Sequence, residues 1–203
     1  MSRLRHWTFA GVLALCLAGC ASAPVHYYTL TTQGLPAGRV APAPYPFELS
    51  PVGVPAQVDV PQLVVRTGGQ GMQLLDGRRW IAPLGDEIRG TLSSDLANAL
   101  GVADMSGLPD SGQPRLRITF DVRRFESVPD DHVLIEAAWS LRLTGAADGR
   151  RALSCVSVDR ETVGAGYDAL VAGHQQALAS IASRIAAAAR AYEAGNRAAC
   201  PSD

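Results

Sequence analysis

The chain has 203 residues, a net charge of −1, 47% apolar residues and 18% charged residues. That length suits one domain with a tether, and the apolar share is enough to bury a core. The near-neutral balance argues against a nucleic-acid binder, which needs a basic face to release counterions.

Residues 1–19 read as an export signal. Arg3 and Arg5 give a positive start, Phe9 to Leu17 an apolar stretch, and small residues follow. The stretch is too short to span a bilayer stably. Leu17-Ala18-Gly19-Cys20 has the form of a lipobox. Small residues fit the peptidase groove, the Cys20 thiol takes a diacylglyceryl thioether, and cleavage frees its amine for acylation. Each buried CH₂ contributes about 0.8 kcal/mol, so several acyl chains anchor almost permanently. The competing reading is an ordinary signal with an incidental cysteine; position, spacing and flanks oppose it. Ala21 follows Cys20. The lack of Asp there favours the inner leaflet of a Gram-negative outer membrane, on its periplasmic face.

Next comes a short segment, His26 to Leu30. Residues 31–46 carry Pro36, Pro42, Pro44 and Pro46 and read as an extended tether. This divides the mature chain into anchor and tether, 20–46, and a folded domain, 47–203. Strand signals follow at Phe47–Leu49, Val52–Val54 and Gln62–Arg66. Gly68, Gly69 and Gly71 mark a turn. Met72 to Leu75, then Asp76-Gly77, predicts a hairpin into Arg78-Arg79-Trp80.

A helix comes next. Pro83 suits its first turn, Asp86 and Glu87 sit at the positive dipole end, and Gly101 stops it. Leu84, Ile88, Leu92, Leu96 and Leu100 make one apolar stripe. Residues 103–114 read as a loop. Leu116, Ile118, Phe120 and Val122 then alternate with polar residues, as in a strand with one buried face. Arg124-Phe125 breaks the phase and predicts a bulge or the strand end. After a turn at Pro129-Asp130-Asp131, the residues Val133, Ile135, Ala137, Trp139, Leu141 and Leu143 share one face of a second long strand. Leu134 and Ala138 add apolar weight to its other face. Asp148-Gly149 turns the chain into Leu153 to Thr162, completing a meander. The last helix runs from about Tyr167 to Glu193, with Gly195 and Asn196 ending it. The expected fold is a single-domain α/β sandwich with a mixed, partly antiparallel sheet and two main helices.

Cys155 and Cys200 remain in the mature chain. An even pair in an exported protein favours a disulfide over two unrelated thiols. Closing a loop of about 45 residues would contribute roughly 4 kcal/mol in the chain-entropy model. A metal site is disfavoured, because no His or Cys lies at ligand spacing near either thiol. His26, His132 and His174 are scattered, and His174 on the apolar stripe reads as a packed histidine. Asp130-Asp131 reads as turn chemistry, not as an acid–base pair. Glu136 is expected to pair with Arg117, Arg123 or Arg142 on the polar sheet face. No nucleophile, base and orienting group assemble, and no cofactor motif is present.

The motif order carries a resemblance. Tyr27-Tyr28-Thr29-Leu30 resembles an early Y-Y-x-L. Val52-Gly53-Val54-Pro55 and Asp59-Val60-Pro61-Gln62-Leu63-Val64-Val65-Arg66 resemble V-x-V-P and D-R-P-Q-L-V-x-R. Trp80-Ile81-Ala82-Pro83-Leu84 resembles W-A-E-P-L, and Trp139 takes a strand tryptophan position. Tyr167, Leu170 and Val171 open the last helix in the same pattern. Together these resemble the PqiC/YmbA type of ABC-transport auxiliary lipoproteins. Val60 stands where Arg is usual, and the Glu of the tryptophan motif is missing.

The resemblance implies an anticodon-binding-like α/β fold without enzymatic activity. It implies work beside an MCE-domain protein and an inner-membrane permease that move lipid across the periplasm. Arg66 and Trp80 are the candidate partner contacts. A homo-oligomeric ring would suit a conduit, and the far face of the Val133–Leu143 strand could serve it. The same residues could instead pack under a helix. A stand-alone lipid-binding lipoprotein is the competing function, and it requires an enclosed apolar pocket.

Overall fold

The computed structural model describes residues 24–31, 40–109, 112–145, 151–195 and 199–201. The export signal, Leu17 to Cys20, residues 32–39, the Asp148-Gly149 turn and Asn196 lie outside the described residues. The strands are β1 (His26–Tyr28), β2 (Phe47–Leu49), β3 (Gln62–Arg66), β4 (Met72–Trp80), β5 (Arg115–Val128), β6 (His132–Thr144) and β7 (Leu153–Thr162). The helices are α1 (Leu84–Leu100) and α2 (Tyr167–Glu193).

The mixed, partly antiparallel pairing is shared between two sheets. One has the order β1-β4-β3 and the other β2-β5-β6-β7. Each carries one parallel pair, β1 with β4 and β2 with β5, at its edge. The β5-β6-β7 meander is antiparallel throughout, with β6 inside the sheet. Its inward side chains, Val133, Ile135, Ala137, Trp139 and Leu141, are at most 2% exposed. They pack under α2, whose Gly173 lies so close that a Cβ there would stand 2.4 Å from Val163 Cγ1. The opposite face, with Thr119, Asp121, Val156 and Val158, is open to solvent.

α1 behaves as its stripe requires. Leu84, Ile88, Leu92, Leu96 and Leu100 are all 1% exposed or less. Pro83 caps the start, and Gly101 takes φ +67°, a left-handed ending that suits glycine. The backbone of Val40 and Pro42 passes beside Gly101, and Ala43 N donates to Leu100 O at 2.8 Å. The second half of the tether region is thus laid along the end of α1.

Two expectations change. The Asp76-Gly77 hairpin is not formed; both residues lie inside β4. The hairpin turn is at Thr67–Gly71, where Thr67 N donates to Gly71 O at 3.0 Å. At Asp76-Gly77 the register of the β3–β4 ladder jumps, since Leu63 faces Leu75 but Gln62 faces Arg79. Extra residues there make an irregularity, and Asp-Gly serves a bulge as readily as a turn. Just beyond it, Arg78 to Trp80 take β1 as a parallel partner. Val52 to Val54, expected as a strand, supply one bridge between Gly53 and Asp121.

In β5 the predicted bulge is real, between Val122 and Arg124. It lets Ile118, Phe120 and Val122 on one side of it, and Phe125 on the other, all turn inward.

Candidate functional site

The bulge sets up a chain of charges where the two sheets meet. Arg66, at the end of β3, reaches Glu126 on β5 at 2.8 Å, and Arg124 reaches the same carboxylate at 3.2 Å. Arg124 also lies 3.8 Å from Glu136 on β6. Burial alone would raise the Glu126 pKa; the Arg124 and Arg66 guanidiniums outweigh it and hold the carboxyl below its ordinary value. Glu136 was expected to meet Arg117, Arg123 or Arg142. The bulge shifts the register so that Arg124 is its cross-strand neighbour instead. Arg66, a candidate partner contact, therefore has an internal role and also donates to Gly69 O at 3.2 Å.

Beneath these charges lies an aromatic stack. Phe125 meets Trp80 edge-on at 6.2 Å and lies flat on His174 at 3.8 Å. His174 is buried, and its Nε2 lies 2.8 Å from Ser127 Oγ. Burial holds its pKa at about 3, so the ring is neutral. Nδ1 has no partner among the described residues. The arrangement fits a packing histidine, not a base open to substrate.

Trp80, the other candidate contact, is 6% exposed. Its ring is turned into the core, so it offers a partner little surface. Its neighbour Ile81 is 61% exposed. Only the rim of Trp80 reaches a groove of about 330 Å³, lined with Asp59, Val60, Pro61, Ile81, Ala82 and Pro83. The two departures from the motif pattern, Val60 and Ala82, stand in this one groove. The two missing charges are absent from a single place and leave it mostly apolar.

Sequence reasoning missed two polar hubs. Glu87 is 5% exposed. It accepts from Thr29 Oγ1 at 2.7 Å and from Leu30 N at 2.8 Å, tying the segment after β1 to the first turn of α1. Leu30 beside it is fully buried. Tyr-Tyr-Thr-Leu is thus a structural hook, and the paired signal was a first-turn Glu with a distant Thr-Leu. Asp104 accepts from Ser93 Oγ at 2.7 Å, Ser106 N at 2.9 Å and Leu49 N at 3.3 Å. Burial would raise its pKa, but the Ser106 and Ser93 donors outweigh this and lower it. The hub joins β2, α1 and the 103–114 loop.

Cys155 and Cys200 are joined as a disulfide, with Cα atoms 5.5 Å apart. It fastens the chain beyond α2 to β7. Trp139 Nε1 donates to buried Ser157 Oγ at 3.0 Å. Asp130 takes φ +60° and accepts from Gly166 N, as a turn residue does. Asp131 pairs with His132 at 3.1 Å. Among the described residues, no group of three His, Cys, Asp or Glu could hold a metal. No described helix is long and apolar enough to cross a membrane.

Comparison with known proteins places these features. A solved structure of an uncharacterised protein is similar to this chain with TM-score 0.64 and 22% identity, over 81% of this chain and 98% of that one. A Xanthomonas campestris protein of the DUF330 family is similar with TM-score 0.55 and 18% identity, over 81% and 93%. At such identities the likeness shows the fold alone. No curated protein matches. The sequence profile of the ABC-type transport auxiliary lipoprotein component matches residues 28–186, which takes in the Glu87 hook, the charge chain and the aromatic stack. The chain therefore belongs to the ABC-type transport auxiliary lipoprotein family, a family of transport components and not of enzymes.

Proposed function

We propose that this chain is a non-catalytic adaptor of an envelope lipid-transport system. Lipid on Cys20 holds it at the periplasmic face of the outer membrane. There it meets an MCE-domain protein whose inner-membrane permease belongs to the same system. The observation that carries this reading is the family match over residues 28–186, joined to a lipobox at Leu17–Cys20 that stands directly before the first strand. The buried histidine and the partnered carboxylates of Glu87, Asp104 and Glu126 support a structural, non-catalytic use of these polar residues. The groove at Val60 and Ala82 is a candidate surface for the partner.

The test is twofold. Radiolabelled palmitate should enter the wild-type protein and not a Cys20→Ala variant, and globomycin should block its processing. The lipidated protein should then co-purify in mild detergent with the MCE-domain protein encoded beside it. Absence of that association, with normal envelope permeability in a deletion strain, would overturn the adaptor role. The stand-alone lipid carrier finds less support. The depression of about 430 Å³ on the open sheet face, lined by Thr119 and Asp121 beside Ala138 and Val156, is open to solvent and not the enclosed pocket that acyl chains need.

A further inference from the structure

The edge where β1 joins β4 has an outward face of distinct chemistry. The two strands are parallel, with Tyr27 beside Arg79 and Tyr28 beside Trp80. Successive side chains point to opposite faces. Trp80 faces the core, so Tyr27 and Arg79 face away from it. Val25 precedes Tyr27 by two residues and Ile81 follows Arg79 by two. Ile81 N donates to Tyr28 O at 2.9 Å, which continues the pairing to that point. Val25 is 40% exposed, Tyr27 59% and Ile81 61%. Arg78 is turned aside, its guanidinium 4.1 Å from the Tyr167 ring centre. An exposed Tyr, two exposed aliphatic side chains and a half-buried Arg, its Nε covered, thus share one edge. Amphipathic rings and snorkelling arginines settle at the headgroup level of a bilayer, and guanidinium groups suit phosphate.

The length of chain before this edge says which surface covers it. Val25 follows Cys20 by five residues, and an extended chain spans at most ~3.3–3.6 Å per residue. Acyl chains on Cys20 keep Val25 within roughly 20 Å of the bilayer surface, whatever path the residues between them take. We infer that the edge formed by Val25, Tyr27, Arg79 and Ile81 rests on the anchoring membrane and docks glycerophospholipid headgroups. This rests on the lipid-anchor reading above and adds an orientation to it. The domain sits with its β1–β4 edge toward the bilayer, and the groove at Val60 and Ala82 lies beside that contact.

Tryptophan fluorescence tests the orientation. Trp80 and Trp139 are buried, so a Tyr27→Trp variant adds an exposed indole. The full lipidated protein is first weighed by mass spectrometry to verify its acyl chains. It is then reconstituted into phosphatidylethanolamine–phosphatidylglycerol vesicles containing brominated acyl chains. The emission of Tyr27→Trp and of Ile81→Trp should be quenched roughly twofold more than that of Val156→Trp, because interfacial side chains reach ~5–10 Å into the headgroup boundary. Equal quenching at all three positions, or stronger quenching at 156, overturns the orientation while leaving the anchor intact. A purified protein without acyl chains fails at the weighing step and removes the anchor and the orientation together.

Discussion

The two sheets are made of similar strands but are secured by different means. The four-stranded sheet is long, regular and covered by α2, and a disulfide locks its outer strand to the chain beyond that helix. The three-stranded sheet is short, its central strand changes partners at an irregularity, and Leu74 and Ile81 stay exposed. Specific polar contacts hold it, namely Glu87 on the hook and Glu126 on Arg66. The small sheet shares the core through Leu63, Val65, Leu75 and Trp80, and the contacts of Glu87 and Glu126 fasten its margins.

That contrast can be broken from its strong side first. Trp139→Ala should remove about 3–5 kcal/mol from the whole domain in urea unfolding. Leu74→Ala, on the small sheet, should change stability by less than ~0.5 kcal/mol. Comparable losses at the two sites would erase the distinction. Replacing both Cys155 and Cys200 by Ser should lower stability by roughly 2–4 kcal/mol. A thermal melt indifferent to reductant would show that the bond adds nothing to the larger sheet.

Glu87→Gln probes the weaker side. It should lose roughly 1–3 kcal/mol, and the Leu30 amide should exchange faster while α2 amides keep their protection. Uniform acceleration along the chain would mean that the hook is not a local device. His174 links the two regions and gives a pH test. Its folded pKa, about 3, lies below the ordinary value, so the fold favours the neutral ring. The stabilising effect is complete above pH 6.5 and is lost as pH falls toward 3, by up to about 1.4 kcal/mol per unit. A His174→Gln variant should show a shallower decline in acid melts; an identical slope would assign the acid sensitivity elsewhere. Arg66→Ala should cost under about 1 kcal/mol, since its ion pair is partly exposed, and a double-mutant cycle with Glu126→Ala would measure it.

The long elements were readable because their signal is local. The four-residue stripe of α1 and the alternation in β5 and β6 state which side chains are buried without reference to a partner. The division into two sheets was not readable, because β1 finds β4 across about fifty intervening residues and no local pattern encodes that choice. Asp76-Gly77 misled because the same dipeptide serves a turn and a bulge. Glu136 was assigned the wrong arginines because the break in phase was seen but not counted through to the neighbouring strand. The hook and the Asp104 hub escaped for one reason: each joins residues distant in sequence by a single side chain. Trp80 was legible as important but not as buried, since a motif does not say which way a side chain faces.

Arg123 adds a residue that β6 does not match, so β5 could lose it without changing which of its side chains face the core. Without Arg123, Val122 would face inward, Arg124 outward and Phe125 inward, which is the alternation of an unbulged strand. Phe125, Glu126 and Ser127 would keep their present faces and their partners on β6. A substitution at Arg123, an exposed position, would pass almost unnoticed. Deletion here should therefore cost far less than deletion at a paired position of β5, where every side chain beyond it would change faces.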